Sequence, residues 1–286
     1  MRRVVRGSAI INRWSSISEL LAKAGEPTNM PRAYRASLRG STNISLDEAI
    51  LLCRKGWREG VVEIEKLRAE IEKLVEGNIP VPTTRYRVTG PGAIHMGRFN
   101  QGRPDAFRHK VDSSITRESH TPRILRVVIN MSASGAVTHD TFIRRGAAVA
   151  AAVNVLERRR IRCQIDVAEA TTNKLANGAT LENVVTVKLP EEATSPDKLA
   201  FMLGHPAMLR RIIFSVLEHE DDNTRKRFGI GLENGMYGLP GEASDQGDIY
   251  VGRILTPTEW SDALTMAWLR KTLSVQGIKL SEKGTV

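Results

Sequence analysis

Residues 124–130, ILRVVIN, restrict the fold more than any other stretch of the chain. Their apolar side chains run on without the polar alternation of a half-exposed strand, which is the pattern of a strand buried on both faces of a parallel sheet. A turn, NMSASG, follows, and then the helix-forming run HDTFIRRGAAVAAAVNVLERRR, with Thr138 or Asp140 at its start and Arg158 to Arg160 suited to the negative end of its dipole. IRCQIDVAEATT and LENVVTVKLP read as strands flanking NKLANGA, whose Asn177-Gly178 pair favours a tight turn and makes the two strands antiparallel. A helical region over SPDKLAFMLGHPAMLRRIIFSVLEHED should break at Gly204 to Pro206; DIYVGRIL reads as a further buried strand, and TPTEWSDALTMAWLRKTLSVQG as a closing helix. This alternation predicts an α/β domain over 124–286: a mostly parallel sheet with one antiparallel strand and helices on both faces.

The first half reads differently. Ser16 and Glu19, then Ser45 and Glu48, have capping-box spacing ahead of short helices. Val62, Ile64, Leu67, Ile71 and Leu74 recur at short helical steps. Residues 1–78 are therefore expected to form a basic, helical N-terminal region. From 79 to 123 the short alternating runs are broken by Gly and Pro, as in small strands or a β-arm, and the aperiodic polar stretch 112–123 reads as a linker.

The net charge of +10 is unevenly distributed. Residues 1–123 carry 22 Lys and Arg against 13 Asp and Glu, whereas the remaining residues are close to balance. Arg2, Arg3, Arg6, Arg13, Arg32, Arg35 and Arg39 stand out near the start, and such a bias suits a polyanionic partner because neutralising phosphates releases counterions. Basic surfaces also serve solubility, so nucleic-acid contact is one expectation rather than a derivation. Two cysteines, Cys53 and Cys163, exclude a disulfide framework or a four-cysteine zinc site. The longest apolar run, Gly146 to Val155, is too short to span a bilayer, and the N-terminus lacks the pattern of a secretory signal, so the chain reads as cytoplasmic with no membrane partner.

No enzyme is expected. The histidines lack metal-ligand spacing, there is no G-x-S-x-G elbow, GIGLENG lacks the Lys-Ser or Lys-Thr pair of a phosphate loop, and LEHEDD points its carboxylates in different directions from a helix end. Arg210 and Arg211 lie beside an apolar helix face and should project to solvent, where phosphate contact is the alternative. The alanines of helix 139–160 permit close backbone approach, which suits a buried element or a homo-oligomer.

At the carboxyl end of the first buried strand, where open parallel sheets gather ligands, Asn130, Ser132 and Ser134 place oxygens at alternate positions. Oxygen donors suit Mg²⁺, but no carboxylate is among them; the same residues could instead satisfy the backbone of a turn. Strand, D-x-S-x-S, helix, strand and antiparallel hairpin strand is the opening topology of von Willebrand factor A domains, and VVINMSASG together with the helix and strand that follow resembles it. The resemblance implies that Asn130 stands at the metal-binding Asp and that Ser132 and Ser134 stand at the two serines. Thr194 could stand at the later Thr, and only Thr256 and Thr258 follow the strand that normally precedes a second Asp. SLDEAILLCRKGWREG, RVVINMSASG, RRGAAVAAAVNVLE and LAFMLGHPAMLRRIIFSVLE, in that order, are similar to a family of phage and prophage proteins, which implies a viral setting, in the host cell or in the virion. The resulting expectation is a non-catalytic interaction or assembly module with a degenerate von Willebrand A-like domain. A nucleic-acid-binding accessory protein, or a Mg²⁺-dependent module working with an ATPase, are the alternatives.

Overall fold

A computed structural model describes residues 1–28, 42–62, 64–66, 69, 83–88, 93–111, 123–159, 161–192, 195–231 and 237–278. The chain divides into two compact units, one of Met1–Glu72 with Pro122–Lys279 and one of Lys73–Thr121 with Leu280–Val286.

The larger unit is built on a seven-stranded mixed sheet. Its strands are β1 (Arg2–Arg6), β2 (Ala9–Trp14), β6 (Ile124–Asn130), β7 (Arg162–Thr172), β8 (Thr180–Lys188), β9 (Leu239–Pro240) and β10 (Ile249–Val251). They lie in the order β1-β2-β8-β7-β6-β10, with β9 paired to the end of β7. The pairs β2–β8, β6–β7 and β6–β10 are parallel; β1–β2, β7–β8 and β7–β9 are antiparallel. The expected parallel core around β6 is present, and so is the antiparallel β7–β8 pair, whose connection places both Asn177 and Gly178 at positive φ.

The parallel character is diluted by strands that fall within the region expected to be helical. RRVVR and AIINRW form a hairpin around Gly7, at φ +60, and β2 pairs in parallel with β8 along its whole length. Residues 1–14 thus extend the main sheet, and Met1–Glu72 shares one compact unit with Pro122–Lys279. The reason is cooperative: β8 would otherwise be a bare sheet edge, and β2 supplies the backbone groups that satisfy it.

The helices of this unit are α1 (Ile17–Gly25), α2 (Leu46–Lys55), α4 (His139–Arg158), α5 (Pro196–Gly204), α6 (Phe214–Leu217), α7 (Asp222–Phe228) and α8 (Asp262–Val275). The capping boxes act as the spacing implied. Ser45 accepts from the Glu48 amide while the Glu48 carboxylate accepts from the Ser45 amide, and Ser16 accepts from Glu19 N. Helix α4 is buried on most sides, and its Gly146 meets Gly204 of α5 so closely that an added Cβ would lie 3.0 Å from the Gly204 Cα. Close approach is thus used inside the molecule. Gly56 ends α2 at φ +96, where a Cβ would lie 2.4 Å from that of Asp197. The helical periodicity expected at Leu67, Ile71 and Leu74 falls outside the described residues.

The two sheet faces are covered differently. On one face Ile10 and Leu181 join a cluster with Leu217, Phe228, Ile230 and Tyr237, supplied by helices and their connections. On the other, Ala9, Ile11, Val128, Ala168 and Val184 are closed over by Ala243 and Tyr250. Among the described residues that second cluster contains no helical residue: where helices were expected on both faces, an extended strap over residues 241–250 closes over it. Its composition, GEASDQGDIY, lacks a helical apolar stripe, and its polar groups grip the strands instead. Ser244 donates through N and Oγ to Glu182, Asp245 accepts from Arg13 and Arg126, and the Arg126 amide donates to Asp248.

After α5 the chain bends by 69° at the Gly204–Pro206 break and continues through π-helical turns, Met208–Ile213, into α6. Five-residue hydrogen bonding changes which side chains face inward. Arg210 and Arg211, expected at the surface, are buried: Arg210 donates to the carbonyls of Ser134, Gly135 and Val137, and Arg211 to Thr42 Oγ1 and Ile44 O. Among the described residues no single helix is long and apolar enough to cross a membrane.

The smaller unit contains an antiparallel sheet of β3 (Thr83–Arg87), β4 (Ala93–Ile94) and β5 (Phe107–Val111), in the order β3-β5-β4, with a short helix α3 (Met96–Asn100). His95 caps that helix by accepting from Arg98 N, and Arg98 and Arg103 both pair with Asp105. Small strands were expected here; the linker expected over 112–123 lies almost wholly outside the described residues.

Candidate functional site

Strand β6 delivers Asn130, Ser132 and Ser134 to the carboxyl end of the parallel strands, as its apolar pattern required, and there they behave as structural polar groups. Asn130 is fully buried. Its Nδ2 donates to Gly241 O at 2.9 Å and to the Tyr250 hydroxyl at 3.0 Å, and its Oδ1 accepts from Ser132 N at 3.0 Å. Ser132 Oγ donates to Ala170 O and accepts from Ala170 N, both at 2.8 Å. These contacts stitch β6 to β7 and to the start of the strap. Ser134 Oγ accepts only a long bond from Ala136 N, while its carbonyl is held by Arg210.

The electrostatics beneath this corner also oppose a cation. Arg145 of α4 is completely buried; it donates to Asn130 O at 2.9 Å and to Met131 Sδ, lies 5.3 Å from the centre of the Phe142 ring, and keeps an unpartnered Nε. Burial holds its guanidinium well below the ordinary arginine range. Arg210 lies over the same ring at 5.8 Å. With two guanidinium groups this near and no carboxylate among the three oxygen-bearing residues, the donor set does not fit a hard divalent ion. The loop after β10 turns on itself: Glu259 accepts from Leu255 N and Thr256 N, and Thr256 Oγ1 lies 3.3 Å from Thr258 Oγ1. Thr194 lies outside the described residues, and among those residues no three His, Cys, Asp or Glu side chains converge as a metal-binding group.

The arginines expected to meet nucleic acid separate into three sets. Arg3 pairs with Glu220 at 2.8 Å and Arg13 with Asp245 at 2.9 Å. Arg2 and Arg6 are exposed on β1, the outer strand of the sheet. Arg32, Arg35 and Arg39 lie outside the described residues.

Sequence reasoning missed a buried polar row that crosses the helix-covered face. Register places Glu169, Asn183 and Asn12 side by side on β7, β8 and β2. Asn183 Nδ2 donates to Glu169; Asn183 Oδ1 accepts from Trp14 Nε1 and from Asn12 Nδ2; Asn12 Nδ2 also donates to Glu220 at 2.7 Å. Burial, reinforced by Glu182 and Glu220, pushes the Glu169 carboxyl up to about 8 against the hydrogen bonds of Asn183 and Thr171, so it is mostly protonated at neutral pH. The available signal was Asn12, Glu169 and Asn183 interrupting the strand runs INRW, DVAEAT and LENVV.

No curated protein and no solved structure matches the chain. A family model described as a domain of unknown function, DUF7192, matches residues 4–278. The match spans the N-terminal hairpin, the strand-end corner and the closing helix, and the chain belongs to the DUF7192 family.

Proposed function

We propose that the protein is a non-catalytic interaction or assembly module of phage type, whose larger unit is a von Willebrand A-like scaffold with its strand-end site closed by internal bonds. The strand order β8-β7-β6-β10, with β8 alone antiparallel among these four, supports the scaffold reading. The observation that carries the non-catalytic, ion-independent reading is the engagement of Asn130 and Ser132 by Gly241, Tyr250 and Ala170 above a buried arginine. Partners are then met through outer surfaces. Isothermal titration of wild type and Ser132→Ala with Mg²⁺ and Mn²⁺ is the test: no saturable heat is expected from either, and heat that disappears in Ser132→Ala favours the ion-dependent module working with an ATPase.

One observation favours nucleic acid as the partner. Arg2 and Arg6 project from the outer strand of the sheet without a carboxylate partner among the described residues, whereas Arg3 and Arg13 hold the fold. Reversing the charge of Arg2 and Arg6 should abolish any salt-sensitive binding to duplex or single-stranded DNA without loosening the fold. Binding that survives both reversals removes this reading.

A further inference from the structure

The larger unit holds a cavity of 420 Å³ between α4, α5, the helical residues 58–62 and 64–66, and β7. Its origin is mechanical. Gly146 and Gly204 pin the two helices at backbone contact, and toward the other end of α4 the small side chains of Ala150 and Ala200 leave open a wedge that Val153 and Leu199 also line. Ile165 of β7 forms the floor and Ile64 a wall. It opens to solvent at one end, and a cleft of this size with a mainly apolar lining is the form a ligand pocket takes.

Among the described residues the mouth supplies a single uncommitted polar group. Asn154, one helical turn beyond Ala150, lines the cavity, and its carboxamide makes no hydrogen bond among the described residues. Among the described residues the charges at this end offset one another: Glu65, Glu157 and Arg158 line it, and Glu157 is held by Lys188 Nζ at 2.7 Å. A carboxamide offers both a donor and an acceptor, and described charges that offset one another give no preference to an ionic head.

We propose that this cavity is a binding site for a small uncharged amphiphile, with its aliphatic body against Ile64, Ala150, Val153, Ile165 and Leu199 and its hydroxyl-like head on Asn154. The site is independent of the strand-end corner, since none of its lining residues belongs to 130–137.

Methyl-labelled full-length protein titrated with octan-1-ol, octanoate and octylamine, which share one tail and differ in the head, tests the assignment by NMR. Octan-1-ol should shift the methyl signals of Ile64, Val153, Ile165 and Leu199 saturably, and bind more tightly than either charged analogue. Ala150→Phe, which fills the wedge, should abolish the shifts; if its spectrum is not that of a folded chain, Ala200→Leu takes its place. Asn154→Leu should weaken octan-1-ol by about five- to tenfold, the loss of one net hydrogen bond. Absence of saturable shifts at these methyls, equal binding in the filled variant, or tighter binding of a charged head overturns the proposal.

Discussion

Glu169 makes a quantitative demand on the fold. Its carboxyl lies wholly inside the larger unit, with its pKa raised from 4.5 to about 8. A group whose folded pKa exceeds its unfolded one binds more protons when folded, so its favourable contribution is complete below pH 4.5 and is lost as pH rises through 8. Each pKa unit is equivalent to about 1.4 kcal/mol, so the interval between those two values amounts to about 5 kcal/mol, a large part of a typical domain's stability. Glu169→Gln keeps an oxygen that can accept from Asn183 and removes the ionisation. Urea denaturation of both proteins at a series of pH values isolates the effect, because every other titrating group is common to the two. Wild-type stability relative to the variant should fall by about 1.4 kcal/mol per pH unit between pH 5 and 8, leaving Glu169→Gln the more stable protein at pH 9. A stability difference that stays constant across this range would refute the claim that the row Glu169–Asn183–Asn12 encloses a protonated carboxyl.

Arg145 should reveal a buried cation whose aliphatic stem matters more than its charge. Its described partners are one carbonyl, a sulfur and a ring, so Arg145→Met should be at least about 2 kcal/mol more stable than Arg145→Ala in denaturant titration, because Ala adds a cavity to the lost bond. Both thiols are buried, and burial pushes Cys53 and Cys163 each up to about 12. Their reaction with a disulfide reagent at pH 8 should therefore follow the opening rate of the protein and become immediate in denaturant.

The parts of the fold legible in the sequence were those specified locally. A continuous apolar run marked β6, Asn177-Gly178 marked β7 and β8 as an antiparallel pair, and Ser45 with Glu48 marked the start of α2. What was not legible depended on distant partners. The arginines of RRVVRGSAIINRW drew attention to charge, while the alternation that makes β1 and β2 a hairpin has meaning only once β8 offers an edge. Arg210 and Arg211 were placed outside by ordinary helical spacing, and the π-helical turns carry them inside to loop carbonyls. The strap could not be inferred from GEASDQGDIY, because its hold on the sheet comes from Arg13, Arg126 and Glu182, far away in the chain. At the corner itself the position of Asn130 and Ser132 was readable from strand and turn, but the identity of their partners, Gly241 and Ala170, was not.

Thermal unfolding of Asn130→Asp, with and without Mg²⁺, tests most directly whether that corner is a clasp or an ion site. A carboxylate there loses the two bonds donated by Asn130 Nδ2 and faces Gly241 O across 2.9 Å, so the variant should be destabilised by about 3 kcal/mol or more, and millimolar Mg²⁺ should not restore it. Recovery of wild-type stability on adding Mg²⁺ would contradict the account, for it would show that the corner holds a cation as soon as one carboxylate is supplied.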